Sequence, residues 1–265
     1  MNAPHGLQFV GGKLYFTAEG AKVIARYDPA AGKVDWVMGT GQNRTHMLFV
    51  TGDEKQIYTT NVASGTVTIL DKVASPPMGP PPGAGGPRGP MRPGLPGGPR
   101  GPMSPGPPGG GQPARTDWTE TVIPVGGGDE GFDVSPDGRE LWTANAQDGT
   151  VSIIDLAARK VTATLDSKTF SANRLKFTPD GKLVLISMLN NGDLVVYDAA
   201  SRKEVKRVPV GHGAAGILMD PVGNRAFIGC TPDNYVAVVD LKTLEVTGHI
   251  DVGGEPDGLA WAIRP

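Results

Sequence analysis

The sequence has few of the residues on which several classes of site depend. Its 265 residues include one cysteine, Cys230, which excludes an intrachain disulfide, a Cys-x-x-Cys metal site and a Cys-x-x-Cys-His haem attachment. Aromatic residues make up 6% of the chain and the formal net charge is −2, so neither stacking surfaces nor a broad basic face is indicated. We therefore expect no nucleic-acid partner.

Long apolar segments and familiar catalytic motifs are missing as well. No run of 18 apolar residues is present, so the sequence predicts no membrane span. The first residues, Met1 to His5, lack the charged and apolar regions of an export signal. The chain contains no Ser-His-Asp order, phosphate-binding loop or His-Glu-x-x-His motif. Without these motifs, the sequence gives no reason to predict an enzyme.

What the sequence does contain is a repeat. Its clearest copy covers residues 131–165, a second follows from Leu175, and weaker copies begin at Leu7, Leu48 and Ile217. A period of about 42 residues that holds four short strands is typical of a β-propeller blade. We therefore predict an all-β fold, a β-propeller of four-stranded antiparallel blades in a single domain over residues 1–265.

The clearest copy also predicts where its strands and turns lie. Apolar alternation and β-branched residues favour strands at 131–134, 140–144, 150–154 and 160–165. The segment Ser135-Pro-Asp-Gly138 predicts the first turn, because proline presets φ and glycine accepts a positive φ. An aspartate closes the third strand of each copy, where its carboxylate can accept backbone N–H groups two residues on. These residues are Asp28, Asp71, Asp155, Asp198 and Asp240.

The phase of the repeat predicts the number of blades. Five units are complete, and the chain then ends after the first strand of a sixth, at 258–262. Closed propellers commonly build one blade from both termini. We therefore expect five complete blades plus an orphan first strand, as in an N-terminally incomplete six- or seven-bladed propeller. The residues that open the first strands are His5, His46, Glu130, Asn173, Ala215 and Asp257.

A low-complexity insertion interrupts the second unit. Residues 75–113 are mostly proline and glycine and lie between that unit's third and fourth strands. Such a segment buries too little apolar surface to offset its ordering entropy, which predicts disorder with polyproline character. It is either a tolerated loop expansion or a tether and docking peptide. The second alternative rests on four arginines with no acid among them, Arg88, Arg92, Arg100 and Arg115.

A candidate site follows from the propeller geometry, because the residues that open the first strands surround one end of the central channel. Two imidazoles and two carboxylates there are suited to a divalent cation, an anionic small molecule or general-base chemistry. The alternative is that they only hydrogen-bond to water and backbone. We predict a ligand-binding channel mouth, with any metal role left open, that comprises His5, His46, Glu130, Asn173, Arg174 and Asp257.

Other polar residues receive weaker predictions. Arg44 adjoins the mouth in sequence, and Asn61, Asn145, Asn190 and His212 are expected to approach it from loops. We expect His249 to be structural, Cys230 to be a packed thiol and Asp129 to be a solvated loop charge. No catalytic residue is assigned.

The repeats resemble the YVTN family of β-propellers, whose usual bacterial members are YncE-like proteins. The similarity is carried by residues 136–145 and 149–155, and again by 58–61 and 65–71, and it covers the chain except the insertion. The resemblance implies an exported binding protein of the periplasm or cell surface. Related propellers include seven-bladed lactonases and the haem d1 domain of nitrite reductases. Pro4-His5-Gly6 is similar to the Pro-His segment that opens lactonase blades.

From these patterns we predict a non-enzymatic propeller that needs no cofactor and binds a small ligand or a protein partner over its channel mouth. The alternative is a lactonase-like hydrolase that uses His5, His46 and Glu130 around a metal ion or an activated water.

Overall fold

The chain folds almost entirely into β-strands. A computed structural model describes residues 2–75 and 115–262, and within these ranges the only helices are the 3-10 turns Glu19–Ala21 and Thr231–Asp233. The chain divides into two compact units, Met1–Asp71 with Glu120–Pro265, and Lys72–Thr119. Within the second unit the Lys72 ammonium lies over the Trp118 ring, 5.9 Å from its centroid. The predicted insertion lies outside the described residues except for Ser75, so its disorder stays a prediction.

Five sheets of four strands form the five predicted blades, and in each sheet consecutive strands pair in antiparallel order. Blade 1 consists of β1 Pro4–Val10, β2 Lys13–Ala18, β3 Val23–Asp28 and β4 Lys33–Gly39. Blade 2 consists of β5 Thr45–Val50, β6 Gln56–Asn61, β7 Thr66–Ser75 and β8 Arg115–Pro124. Blade 3 consists of β9 Asp129–Val134, β10 Glu140–Asn145, β11 Thr150–Asp155 and β12 Lys160–Leu165.

The last two blades have the same form. Blade 4 consists of β13 Ala172–Phe177, β14 Leu183–Met188, β15 Asp193–Asp198 and β16 Lys203–Pro209. Blade 5 consists of β17 Ala214–Met219, β18 Arg225–Cys230, β19 Tyr235–Asp240 and β20 Glu245–Asp251. The predicted all-β propeller of four-stranded blades is therefore confirmed. The further blades that the repeat phase led us to expect are not found among the described residues.

Local turn chemistry follows the sequence pattern. Gly138 and Gly181 both adopt a φ of 71°, the positive value that these turns require. Four of the five aspartates that close third strands accept backbone N–H groups two or three residues on. Asp71 differs because β7 continues past it to Ser75, and its carboxylate pairs instead with Arg159 at 2.8 Å.

The apolar core lies between neighbouring blades. Phe132 and Val134 of blade 3 pack against Tyr58, Val67 and Ile69 of blade 2 in one buried cluster. A second cluster joins blades 3 and 4 in the same way and includes a Trp142–Phe177 edge contact at 5.8 Å. The four central residues of third strands such as β11 and β15 are all buried, because adjacent blades cover both of their faces.

A repeated polar contact fixes blades 1, 2 and 4 to the blade that follows each of them. In these three blades the fifth residue of the second strand carries a hydroxyl that donates to a backbone carbonyl opening the next blade. Thr17 donates to His46, Thr60 donates to Glu130 at 3.3 Å, and Ser187 donates to Ala215 at 2.6 Å. Each acceptor is the second residue of a first strand, so this contact aligns the first strands around the channel.

The predicted orphan strand at 258–262 is wrong as a strand, because residues 252–262 join no sheet of the described chain. The segment nevertheless lies where a following blade would begin. A Cβ on Gly216 would lie 1.8 Å from the Asp257 carbonyl oxygen, and one on Gly6 would lie 2.7 Å from that of His46. The Trp261 indole N–H donates to the Met219 carbonyl at 2.8 Å, which fixes the segment to blade 5. Without second, third and fourth strands to pair with, it makes these contacts as extended chain.

No helix in the described ranges is both long and apolar enough to cross a bilayer.

Candidate functional site

The channel mouth is built from equivalent positions of different blades. His5, His46, Glu130 and Asn173 are each the second residue of β1, β5, β9 and β13, and Ala215 holds this position in β17. Since a first strand of each blade borders the channel, this position places their side chains at one end of it. We call the interacting set at this end the mouth cluster, which consists of His5, Glu19, Arg44, His46, Glu130, Asn173, Arg174 and Asp257.

Two stacked histidines form the centre of the mouth cluster. The rings of His5 and His46 have centroids 3.7 Å apart and planes tilted by 30°. His46 is 1% exposed, and its Nδ1 contacts the Glu19 carboxylate. His46 Nε2 and His5 Nδ1 are buried without a hydrogen-bond partner in the described part of the chain. Buried ring nitrogens normally have a partner, so these two atoms are the chemically unsatisfied part of the cluster.

Two carboxylates and one guanidinium surround the histidine pair. Glu130 Oε1 lies 3.5 Å from His46 Nε2 and accepts a hydrogen bond from Asn173 Nδ2 at 3.2 Å. Arg44 lies between the carboxylates, 3.5 Å from Glu19 Oε1 and 3.9 Å from Glu130 Oε1. The side chains of Glu19 and Glu130 are therefore held on either side of His46 by charge and by hydrogen bonds.

Arg174 extends the cluster towards the C-terminal segment. It is 9% exposed, its Nη1 donates to the Asn173 carbonyl at 3.2 Å, and its Nη2 lies 3.6 Å from Asp257 Oδ1. Asp257 is the half-exposed member of this pair. The structure thus brings together all six residues that the sequence predicted; that they bind a ligand stays a prediction.

Burial and neighbouring charge set the protonation of the mouth. Burial, with the positive charges of His46 and Arg174, lowers the pKa of His5 to about 4, so its ring is neutral at pH 7. Burial opposes ionisation of Glu130, but His46, Arg44 and Arg174 outweigh it and lower the pKa of that carboxyl. A neutral imidazole beside a charged carboxylate offers lone pairs to a cation or to an acidic proton.

A cavity of about 590 Å³ continues from the mouth along the channel. Its walls are mostly apolar, with Met47, Phe49, Ile217 and Leu259 among them, and its cationic groups are those of Arg174 and Lys176. A volume of this size lies within the range of small-molecule sites, which are typically apolar with a few placed polar groups.

Several sequence expectations for neighbouring residues were wrong. Asn61 and Asn145 are buried and donate to strand-3 hydroxyls, Asn61 to Thr68 at 3.0 Å and Asn145 to Ser152 at 2.9 Å, so they stabilise blades. Exposed His212 pairs with Asp233 at 3.0 Å and contacts none of the mouth cluster.

Asp129 is fully buried instead of solvated, and burial raises its pKa to about 8. Glu19 was missed, although it belongs to the kind of loop after strand 2 that was expected to reach the mouth.

The comparisons with known proteins concern the fold. Residues 114–225, less than half of the chain, match the model of a family described as the cytochrome D1 heme domain. The chain is also similar to a solved, functionally unknown protein from Desulfotomaculum acetoxidans DSM 771. The TM-score is 0.66 at 11% identity, over 91% of this chain and 67% of that chain. No curated protein matches.

A haem is not supported by the residues present. His212 is the one histidine in the matched segment, and it is exposed and paired with Asp233. The mouth histidines stack directly on each other, so no macrocycle fits between their rings. We therefore derive no chemistry through a haem. What the family match and the five blades establish together is a β-propeller protein.

Proposed function

We propose that this chain is a non-enzymatic propeller of the YVTN-repeat, YncE-like type that binds a small organic anion in the channel below its mouth. The repeat residues 136–145 and 149–155 support the family, which in turn suggests a periplasmic or surface location. The mixture of apolar walls and few cationic groups supports the ligand class, because a carboxylate on an apolar body matches both features.

Arg174 is the observation that carries this proposal. Its guanidinium is nearly buried at the edge of the cavity, and its described side-chain contacts are one carbonyl and one half-exposed carboxylate. A guanidinium has five N–H donors in a planar fork that suits a carboxylate. Lys176, two residues further along β13, places a second positive charge beside the same cavity, 3.3 Å from Asp133.

Calorimetric titration with the sodium salts of acetate, succinate, citrate and benzoate tests the proposal. We expect at least one of these anions to bind, and Arg174→Gln to raise its Kd by about 10- to 100-fold, since a charged hydrogen bond contributes about 1.5–3 kcal/mol. Arg139→Gln is the matched control, because that side chain is 84% exposed in a turn. Absence of binding by all four anions, or binding that Arg174→Gln leaves unchanged, contradicts the proposal.

A second candidate, a lactonase-like hydrolase, is favoured by one arrangement. His46 contacts the Glu19 carboxylate through Nδ1 and leaves Nε2 without a hydrogen-bond partner in the described chain, as in a carboxylate-oriented general base. Hydrolysis of δ-valerolactone tests it by pH-stat titration. Activity lost in both His46→Gln and Glu19→Gln, but kept in His212→Gln, supports the hydrolase; no activity in the wild type excludes it for this substrate.

A further inference from the structure

We propose that His5, Glu19 and His46 bind a divalent transition-metal ion of the zinc type at the channel mouth. This site adjoins the organic-anion site proposed above, because His5 also lines that cavity, but it does not depend on it. It also gives a role to His46 Nε2 and His5 Nδ1, two buried ring nitrogens without a hydrogen-bond partner in the described chain.

The ligand geometry is the first argument. One ligand atom from each of the three residues lies within 4.8 Å of the other two. Zinc binds imidazole nitrogen and carboxylate oxygen at about 2.0–2.2 Å, so two bound ligand atoms are at most about 4 Å apart. Because His46 Nδ1 is the ring atom that contacts Glu19, a bound ion either replaces that contact or requires the His46 ring to turn so that Nε2 faces Glu19.

The unsatisfied nitrogens are a second and independent argument. His46 is 1% exposed, and its Nε2 has no hydrogen-bond partner in the described residues; neither has the buried Nδ1 of His5. The carboxylate nearest to His46 Nε2 is that of Glu130, whose Oε1 lies 3.5 Å away without forming a hydrogen bond, whereas Glu19 contacts His46 Nδ1. A metal ion takes a ring-nitrogen lone pair directly, which turns an unfavourable buried atom into a ligand.

Charge around the three residues also suits a cation. Three carboxylates, Glu19, Glu130 and Asp257, face two guanidiniums, Arg44 and Arg174, in the mouth cluster. Leaving the two imidazoles aside, this set carries one net negative charge, which offsets half the charge of a divalent ion. Glu130 is held beside His46 by Asn173 and contributes to this field from outside the proposed ligand set.

The ligand types decide the class of metal. Calcium and magnesium prefer sets made of oxygen ligands, whereas two imidazoles with one carboxylate suit zinc, cobalt or ferrous iron. Three protein ligands also leave a coordination position for water or another small ligand, as in sites where zinc is not purely structural.

The experiment uses the full-length chain, stripped with EDTA and dialysed, with Zn²⁺ alone as the calorimetric probe and Co²⁺ as the spectroscopic probe. We expect one ion per chain and visible d–d absorption of bound cobalt. His46→Gln and Glu19→Gln should each raise the Kd for Zn²⁺ by at least 100-fold. His212→Gln is the matched control, because it removes an imidazole from the His212–Asp233 pair outside the mouth cluster.

Either of two results overturns the proposal: no stoichiometric Zn²⁺ binding by the wild type, or binding that Glu19→Gln leaves within a factor of three. An equal loss in His212→Gln would also overturn it. Because His46 is buried, its variant is checked by circular dichroism, and Glu19→Gln decides alone if His46→Gln does not fold. No organic anion is present in these titrations, so their outcome is independent of the anion proposal.

Discussion

The carboxyl group of Asp129 is enclosed by two blades. It is fully buried, its Oδ2 accepts the backbone N–H of Asn61 at 3.2 Å, and its Oδ1 has no hydrogen-bond partner in the described chain. Burial raises its pKa from 3.8 to about 8, and the Asn61 N–H group opposes this shift only in part. Asp129 is therefore a neutral acid over most of the physiological pH range.

This protonation makes stability depend on pH. The native state keeps the Asp129 proton up to about pH 8, whereas the unfolded state loses it near pH 3.8. The contribution of Asp129 to the free energy of unfolding should therefore fall as pH rises from 4 to 8, by up to about 5 kcal/mol, whereas the lowered pKa of His5 acts in the opposite direction between about pH 4 and 6.5. Asp129→Asn keeps an acceptor for Asn61 and cannot ionise, so it should remove most of this slope in urea titrations.

The exposed carboxylate of Asp166 supplies the control for that experiment. Its side chain is 69% exposed, so Asp166→Asn should leave the slope unchanged. A wild-type slope that persists in Asp129→Asn would show that another group titrates over this range.

For single residues, the sequence predicted where a side chain lies in its blade better than it predicted how deeply that side chain is buried. The repeat phase was enough to place His5, His46, Glu130 and Asn173 together, because each occupies the same register of its blade. Asp129 was misjudged because its burial comes from residues of the preceding blade, about 70 positions earlier in sequence. Glu19 directly follows the second strand of blade 1, where the other units have Val62, Ala146, Leu189 and Thr231, so alignment of the units gave no signal for it.

At the scale of the strand, the faces of the first strands differ between blades. Phe9 and Phe177 occupy the same repeat position, the fourth residue after the mouth position, yet Phe9 is 64% exposed and Phe177 is 5% exposed. The difference arises because Phe177 packs against Trp142 of the preceding blade, whereas nothing comparable covers Phe9 in the described chain. Sequence pattern alone predicts the same burial for both residues.

This pair gives a matched test of where the stability lies. Phe177→Ala should lower the free energy of unfolding by about 3–5 kcal/mol, since it leaves a cavity between blades 3 and 4. Phe9→Ala should lower it by less than about 1 kcal/mol, because the ring is already largely in water. Urea unfolding followed by circular dichroism measures both. Similar losses in the two variants would mean that Phe9 is covered in solution.

The strands and turns themselves were the most predictable elements. Predicted and observed bounds in blade 3 differ by at most two residues, and β12 matches its prediction, 160–165. The orphan strand failed because a strand is defined by its pairing, and residues 258–262 have no adjacent strand to bond with. Its contacts with Gly216 and Met219 still follow the repeat phase that suggested it.

At the scale of the whole molecule, the channel depends on repeated contacts between successive blades. In blades 1, 2 and 4 a hydroxyl on the fifth residue of the second strand donates to the carbonyl that opens the next blade. In blade 5 the fifth residue of the second strand is Gly229. A Cβ on Gly229 would lie 3.4 Å from the Asp257 carbonyl oxygen, so that carbonyl occupies the equivalent place. The number of blades was harder to predict than their form, because one period describes each blade but not how many surround the axis.

The proline-glycine insertion, residues 75–113, connects the third and fourth strands of blade 2. Strands β7 and β8 are neighbours in one sheet, so a short turn is sufficient to connect them. Replacing residues 76–112 with Gly-Ser-Asn-Gly halves the length of the connection about three times over. Because each halving lowers the entropic cost of closing the loop, the replacement should stabilise the fold by up to about 2 kcal/mol. We therefore expect a Tm equal to or above that of the parent in calorimetry.

As a control, shuffling the order of residues 76–112 should leave the Tm unchanged. A Tm lowered by the deletion but not by the shuffle would contradict a tolerated loop expansion, because the propeller would then require the length of this segment.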